Sequence, residues 1–293
     1  MKLILVAVRY QFLGFFKSAR VVLTFLFGIV ICFLLSGRVM EIIGQYETSI
    51  QAAEPFLWTF GDATALLLVS LLLVFLLSDI PKLNAFTPFY LMRMTKKKWL
   101  AAQFLYVTGC TLIYVLFILA ATTLLCMKHA FPGNMWSKTA AILGYSGAGK
   151  ALHVPSTVKV MESISPYGCM VQVLMLMLGY SLTLAFLILL GNLVLDKKYG
   201  MLLSIGYSLY GFLLNPNVLG KLLGMEDYDM YRIRSIVGWI SPLNHAVYGM
   251  HDFGYDNLPA VWQSLGFFGL ILFVFLLLSY RALSKYNFSF LGN

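Results

Sequence analysis

Six apolar runs recur along this 293-residue chain, at about 20–37, 56–78, 101–124, 169–195, 200–219 and 261–280. A helix needs about 20 apolar residues to cross the hydrocarbon core of a bilayer. Within lipid such a run satisfies its own backbone hydrogen bonds as a helix. The expected fold is therefore all-α: a polytopic membrane protein with six transmembrane helices in a single domain over 1–293. With 60% hydrophobic residues, 11% charged residues, 23 Phe and 17 Tyr, most of the chain would be insoluble in water.

Charge placement orients the runs. Before the first one, Lys2, Arg9, Lys17 and Arg20 interrupt an apolar stretch, and at about 100° per residue they share one side of a helix. That spacing predicts an amphipathic helix over 1–20, lying in the membrane interface with a basic stripe. No Ala-x-Ala-like cleavage site follows, so the segment is expected to stay on the chain. With both termini in the cytoplasm, thirteen Lys and Arg and two acids fall inside, against eight and ten outside. The net charges are +11 and −2, and together they give the chain's +9. Cytoplasmic loops carry such an excess of Lys and Arg, which accounts for the basicity without a nucleic-acid partner.

The most loaded inside loop is 79–100, DIPKLNAFTPFYLMRMTKKKWL. It holds Lys82, Arg93, Lys96, Lys97 and Lys98 against one acid, Asp79. Pro81 and Pro88 interrupt regular backbone, and Leu91, Met92 and Met94 are apolar side chains that water disfavours. Two readings stand: a solvated basic loop gripping anionic lipid heads, or a short helix that docks on another protein. The outside loops are 38–54, which carries Glu41, Glu47 and Glu54 with Arg38, then 127–167, long enough for a small external substructure, and 220–260, whose stretch IVGWISPLNHAVYG can dip back into the interface.

Several smaller features bear on chemistry. Asp62 lies near the outer end of the second run, functional if inside the leaflet and ordinary if at its edge. Cys126 and Cys169 bracket the 127–167 loop, where an external disulfide is geometrically possible and two free thiols are the alternative. Cys32 and Cys110 read as small apolar fillers. Gly144 to Lys150 has the G-x4-G-K spacing of a phosphate-binding loop, but Ala151 stands where Mg²⁺ needs Ser or Thr, and the segment falls outside. His245 and His251 offer at most a weak external metal site, and no metal or other cofactor is expected in this chain. The spans hold no mid-depth ionisable group, only Asp62 at an edge and the neutral Gln172 and Asn192. Ion-driven transporters normally carry such groups, so uphill transport would draw its energy from another chain. No H-E-x-x-H, G-x-S-x-G or paired carboxylates are present, and no enzymatic activity is expected.

Two segments carry a family resemblance. TPFYLMRMTKKKWLAAQFL at Thr87 to Leu105 resembles the coupling region that leads into the third span of the permease subunit of a type-2 ABC exporter, and ISPLNHAVYG at Ile240 to Gly249 resembles that family's Pro-containing segment before the sixth. The resemblance implies a dimer with a second permease copy or homologue, mounted on two cytoplasmic ABC ATPase subunits that carry the ATP and Mg. It places the chain, with its surrounding membrane lipids, in a bacterial plasma membrane. It also implies a coupling helix from Leu83 to Thr95, using Leu83, Phe86, Phe89, Tyr90, Leu91, Met92, Met94 and Thr95. The translocation path or dimer interface would run along spans two and five, at Asp62, Ser70, Ser204, Tyr207, Ser208 and Tyr210. The cargo would be hydrophobic or amphipathic: a peptide, lipid or drug. The long 127–167 loop and the lack of an acid within the coupling helix depart from the family's pattern. Two other readings remain: a membrane enzyme or assembly factor acting on lipid-linked substrates, and an immunity or sensor protein that binds an antimicrobial peptide.

Overall fold

At the N-terminus the basic and apolar positions form two helices where one was expected. In the computed structural model, which describes residues 2–81, 91–146, 158–195, 199–216, 219–220, 224, 230–254 and 257–286, helix α1 covers Lys2–Phe12. Gly14 then adopts φ 87°, and a single 3-10 turn at Phe15–Lys17 follows. A side chain with a Cβ resists that φ, so Gly14 is what lets the chain turn.

Helix α2 covers Ala19–Tyr46 without a break, nine residues past the expected end of the first span. The overrun has a simple cause: Val39, Ile42 and Ile43 continue the buried stripe at helical spacing through Arg38 and Glu41. A two-residue strand, β1 (Ile50–Gln51), leads into α3 (Glu54–Phe60) and α4 (Ala63–Leu76). The expected continuous second span is broken here, with α3 and α4 meeting at 87°. Asp62 makes the break by starting a new helix, its carboxylate accepting from the amides of Thr64 at 3.0 Å and Ala65 at 3.3 Å.

Helix α5 covers Lys96–Leu125, so Lys96, Lys97 and Lys98 are its first turn rather than part of a loop. Its buried positions, among them Trp99, Gln103, Tyr106, Cys110 and Tyr114, recur at the helical period and seat it against α1 and α2. The 127–167 region builds a small unit from a 3-10 turn at Met127–His129, strand β2 (Ala130–Phe131), α6 (Lys138–Tyr145) and α7 (Val158–Ser163). β2 pairs in parallel with β1, Ile50 opposite Ala130 and Gln51 opposite Phe131.

Helix α8 (Pro166–Val194) is the centre of the bundle and packs on α3, α4 and α5. Two later helices also lie on it, α9 (Tyr199–Leu213) and, after α10 (Met230–Ile240) and a 3-10 turn at Tyr248–Met250, α11 (Val261–Ala282). At 15 residues α9 is about 22 Å long, shorter than the run expected at 200–219. Among the described residues, α2, α5, α8 and α11 are long and apolar enough to cross a membrane, and the bent α3–α4 pair makes a fifth if it counts as one span.

Candidate functional site

Four elements converge at one end of the bundle, around the described part of the 79–100 segment. The Arg20 guanidinium meets the Asp79 carboxylate at 2.9 Å and joins the start of α2 to the chain just beyond α4. Lys96 Nζ donates to the Tyr286 carbonyl at 3.1 Å, and the Lys97 ammonium lies 5.0 Å from the centre of the Tyr280 ring. The Trp99 and Tyr286 rings stack at 6.0 Å, so the head of α5 is held against the end of α11.

The residues expected to couple to an ATPase divide there. Leu83, Phe86, Phe89 and Tyr90 lie outside the described residues. Thr95 caps α5, its hydroxyl accepting from the Lys98 amide at 3.4 Å, and Met94, 7% exposed, packs into the chain's own core. Leu91 is half-buried against that core. Met92 is 78% exposed beside the lysines.

The residues expected along a path or dimer face also separate. The Tyr180 hydroxyl donates to Ser208 Oγ at 3.3 Å and has the Ser70 hydroxyl within reach. Ser204 Oγ donates to the Leu184 carbonyl at 3.2 Å, and Ser70 Oγ to Leu67 at 2.8 Å. Ser70, Ser204 and Ser208 are all buried and tie α4 and α9 to α8 within one chain. Tyr207 is half-buried with its ring 6.5 Å from that of Tyr180, and Tyr210 and Asp62 are exposed. The structure does not bring these six to one surface.

At the C-terminal end of α8, next to Asp79, Asn192 joins α8 to two other segments: its amide donates to the Ile80 carbonyl at 2.5 Å and its oxygen accepts from the Gly200 amide at 2.9 Å. Beside it a groove of about 580 Å³ runs between α8, α9 and α11, lined by Leu187, Leu190, Leu203 and Leu278, with Arg281 and Lys285 at its polar end.

At the β1–β2 end, Glu54 is fully buried. Its carboxylate accepts from the Ser137 amide at 2.8 Å, the Ser137 hydroxyl at 2.6 Å and the Gln51 amide at 3.3 Å. These three donors satisfy the buried carboxyl and pin α3 to the start of α6. Cys126 and Cys169 are free buried thiols, one beside the Ser36 hydroxyl and the other beside that of Tyr248.

His245 and His251 do come together, but around a residue the sequence had not singled out. Ser264 Oγ, in the first turn of α11, lies 2.8 Å from His245 Nδ1 and 2.9 Å from His251 Nε2. Ser264 stands thirteen residues beyond His251, and only a fold that returns the 241–260 segment onto α11 makes them neighbours. Among the described residues no group of three His, Cys, Asp or Glu forms a metal site. Burial pushes both imidazoles below their ordinary pKa, His251 to about 4.

These features define a multi-span, essentially all-α membrane protein. The chain matches no family model, no characterised protein and no solved structure.

Proposed function

We propose that this chain is the permease subunit of an ABC exporter, moving a hydrophobic or amphipathic cargo with energy from ATP hydrolysed on separate cytoplasmic subunits. The observation that carries the reading is the exposure of Met92 just ahead of α5. This apolar side chain lies four residues before Lys96, where the head of α5 is tied to the end of α11 by Lys96–Tyr286 and Lys97–Tyr280, while Arg20–Asp79 ties the start of α2 to the chain beyond α4. A partner that gripped Met92 would push on the head of α5 and, through those contacts, on the end of α11. The leucine-lined groove ending at Arg281 and Lys285 has the chemistry of an amphiphile with an anionic head.

The test is co-expression with the neighbouring genes and purification through a tag on this chain. An ATP-hydrolysing subunit is expected to co-purify, and Met92→Asp is expected to release it, because a carboxylate buried unpaired in the contact costs on the order of several kcal/mol. Purification of the intact protein with no ATPase would end the exporter reading.

A further inference from the structure

The contacts around Ser264 fix where the hydrogens must lie. His245 Nε2 is 3.1 Å from the Trp239 carbonyl, and a carbonyl only accepts, so Nε2 carries the hydrogen and Nδ1 is left as a lone pair facing Ser264 Oγ. His251 Nδ1 lies 3.1 Å from the carbonyls of both Val247 and Tyr248, so it too must donate, and Nε2 is the lone pair facing the same oxygen. The serine hydroxyl has one hydrogen and can give it to one ring only. With both rings neutral, three hydrogens serve a chain of four links: carbonyl to His245, His245 to Ser264, Ser264 to His251, and His251 to carbonyl. One nitrogen lone pair is then pressed against an oxygen lone pair at under 3 Å, with Ser264 0%, His251 1% and His245 2% exposed.

We infer that His245, Ser264 and His251 form a binding site for one proton, shared by the two imidazoles through the serine hydroxyl. The added proton supplies the missing fourth hydrogen: one ring becomes imidazolium and donates to Ser264 Oγ, whose own hydrogen points to the other ring. A second proton would leave the serine hydrogen without an acceptor and set two cations on either side of one oxygen. Capacity is therefore one.

Among the described residues the groups packed on the two rings are aromatic or neutral. The Phe267 ring stacks on His245 at 4.3 Å and Phe268 approaches edge-on at 6.3 Å, both from α11. From the 3-10 turn, the Tyr248 ring lies 6.2 Å from His251, with its hydroxyl donating to Gln172 on α8 at 2.7 Å and the Cys169 thiol beside it. Arg234 of α10 reaches the Gly249 carbonyl at 3.3 Å, and the Asp252 carboxylate accepts from the Gly254 amide at 2.7 Å. Among the described residues no carboxylate touches either ring. The site is independent of the exporter reading, and a failed ATPase co-purification would not touch it.

The experiment uses the full-length protein in lipid nanodiscs, ¹⁵N-labelled at histidine, with His129 and His153 replaced by Asn so that only the pair is seen. Imidazole nitrogen shifts, followed from pH 8 to pH 4.5, distinguish the two neutral tautomers from imidazolium. The expected result is one ring-equivalent of imidazolium, with both rings shifting at a single midpoint. Two rings that stay neutral throughout, or two that each charge fully with independent midpoints, overturn the proposal. Ser264→Ala removes the bridge and is expected to lower proton affinity about tenfold or more, while Ser264→Thr, which keeps the hydroxyl, retains it. An unchanged midpoint in Ser264→Ala also overturns the proposal. If that variant fails to fold, the wild-type and Ser264→Thr titrations still decide.

Discussion

Gly191 and Gly200 bring α8 and α9 so close that a Cβ added to Gly191 would lie 2.6 Å from the Gly200 Cα, and one added to Gly200 would run into the backbone carbonyl oxygen of Ile188. In lipid, where apolar surface gains little by leaving its surroundings, contact of this kind and the Asn192 hydrogen bonds across it are what hold helices together. Gly191→Ala and Gly200→Ala are each expected to destabilise the protein by about 3 kcal/mol, because backbone rather than a flexible side chain would have to move. Gly206 on α9 has open space around it, so Gly206→Ala is the control and should be neutral or stabilising. Thermal unfolding in detergent reads all three, and equal loss in the control would remove the packing explanation.

Glu54 accepts three hydrogen bonds as a carboxylate. In Glu54→Gln one oxygen becomes an NH₂ that must face a donor, and the expected loss is about 1–3 kcal/mol, with Glu54→Ala losing more. The loss should be confined to β1, β2, α3 and α6, read as faster hydrogen exchange there while α8 is unchanged. Uniformly faster exchange across the bundle would show that the contact is not local.

Met92 and Met94 stand two residues apart with opposite burial, 78% and 7% exposed. Met92→Asp should leave the melting temperature of the isolated protein within the change expected of a surface substitution, about 0.5 kcal/mol, and weaken only partner binding. Met94→Asp should unfold the chain around α5 whether or not a partner is present. Neutralising Lys96, Lys97 and Lys98 together should weaken the hold on anionic lipid head groups by about 1 kcal/mol per charge. Retention of anionic lipid by the purified protein and melting curves of the three variants check these, and a Met92→Asp protein as unstable as Met94→Asp would mean that Met92 serves the fold.

Acid should loosen the 241–260 segment in a graded way. An unfolded chain protonates both His245 and His251 near 6.5, whereas the folded cluster has room for one proton and burial holds both rings lower, His251 at about 4. Below 6.5 the unfolded state therefore binds at least one more proton, so stability is greatest above pH 6.5 and falls as pH drops towards 4. At pH 5 the loss should be at least about 2 kcal/mol, rising to about twice that if the folded cluster holds no proton at all. Hydrogen exchange of 241–260 at pH 7 and pH 5, corrected for intrinsic rates, separates these slopes.

The apolar runs were legible because lipid demands them, and α5, α8 and α11 lie where hydropathy put them. The ends of helices were less so. Charge at Arg38 and Glu41 argued for a loop, but three buried aliphatic side chains at helical spacing outweighed it. The break before Ala63 was carried by one residue, Asp62, which a composition reading weighs only as a charge. Ser204 and Ser208 were assigned to a path or partner face by the family resemblance alone, and the structure of the single chain buries both against its own α8. The Glu54–Ser137 contact spans 83 residues, and β1 and β2 are two residues each, too short to register as strands. Nothing local in the sequence joins Ser264 to the histidines it bridges.

Because α2 runs unbroken for 28 residues, it is a lever about 42 Å long, carrying the Arg20–Asp79 pair at one end and leading directly into β1 at the other. A tilt of about 5° at the ion pair would carry the far end through nearly 4 Å, roughly the rise of one strand residue. The parallel register of Ile50 on Ala130 and Gln51 on Phe131 is only two rungs deep, so a stroke of that size would either drag β2 along with it or unhook it.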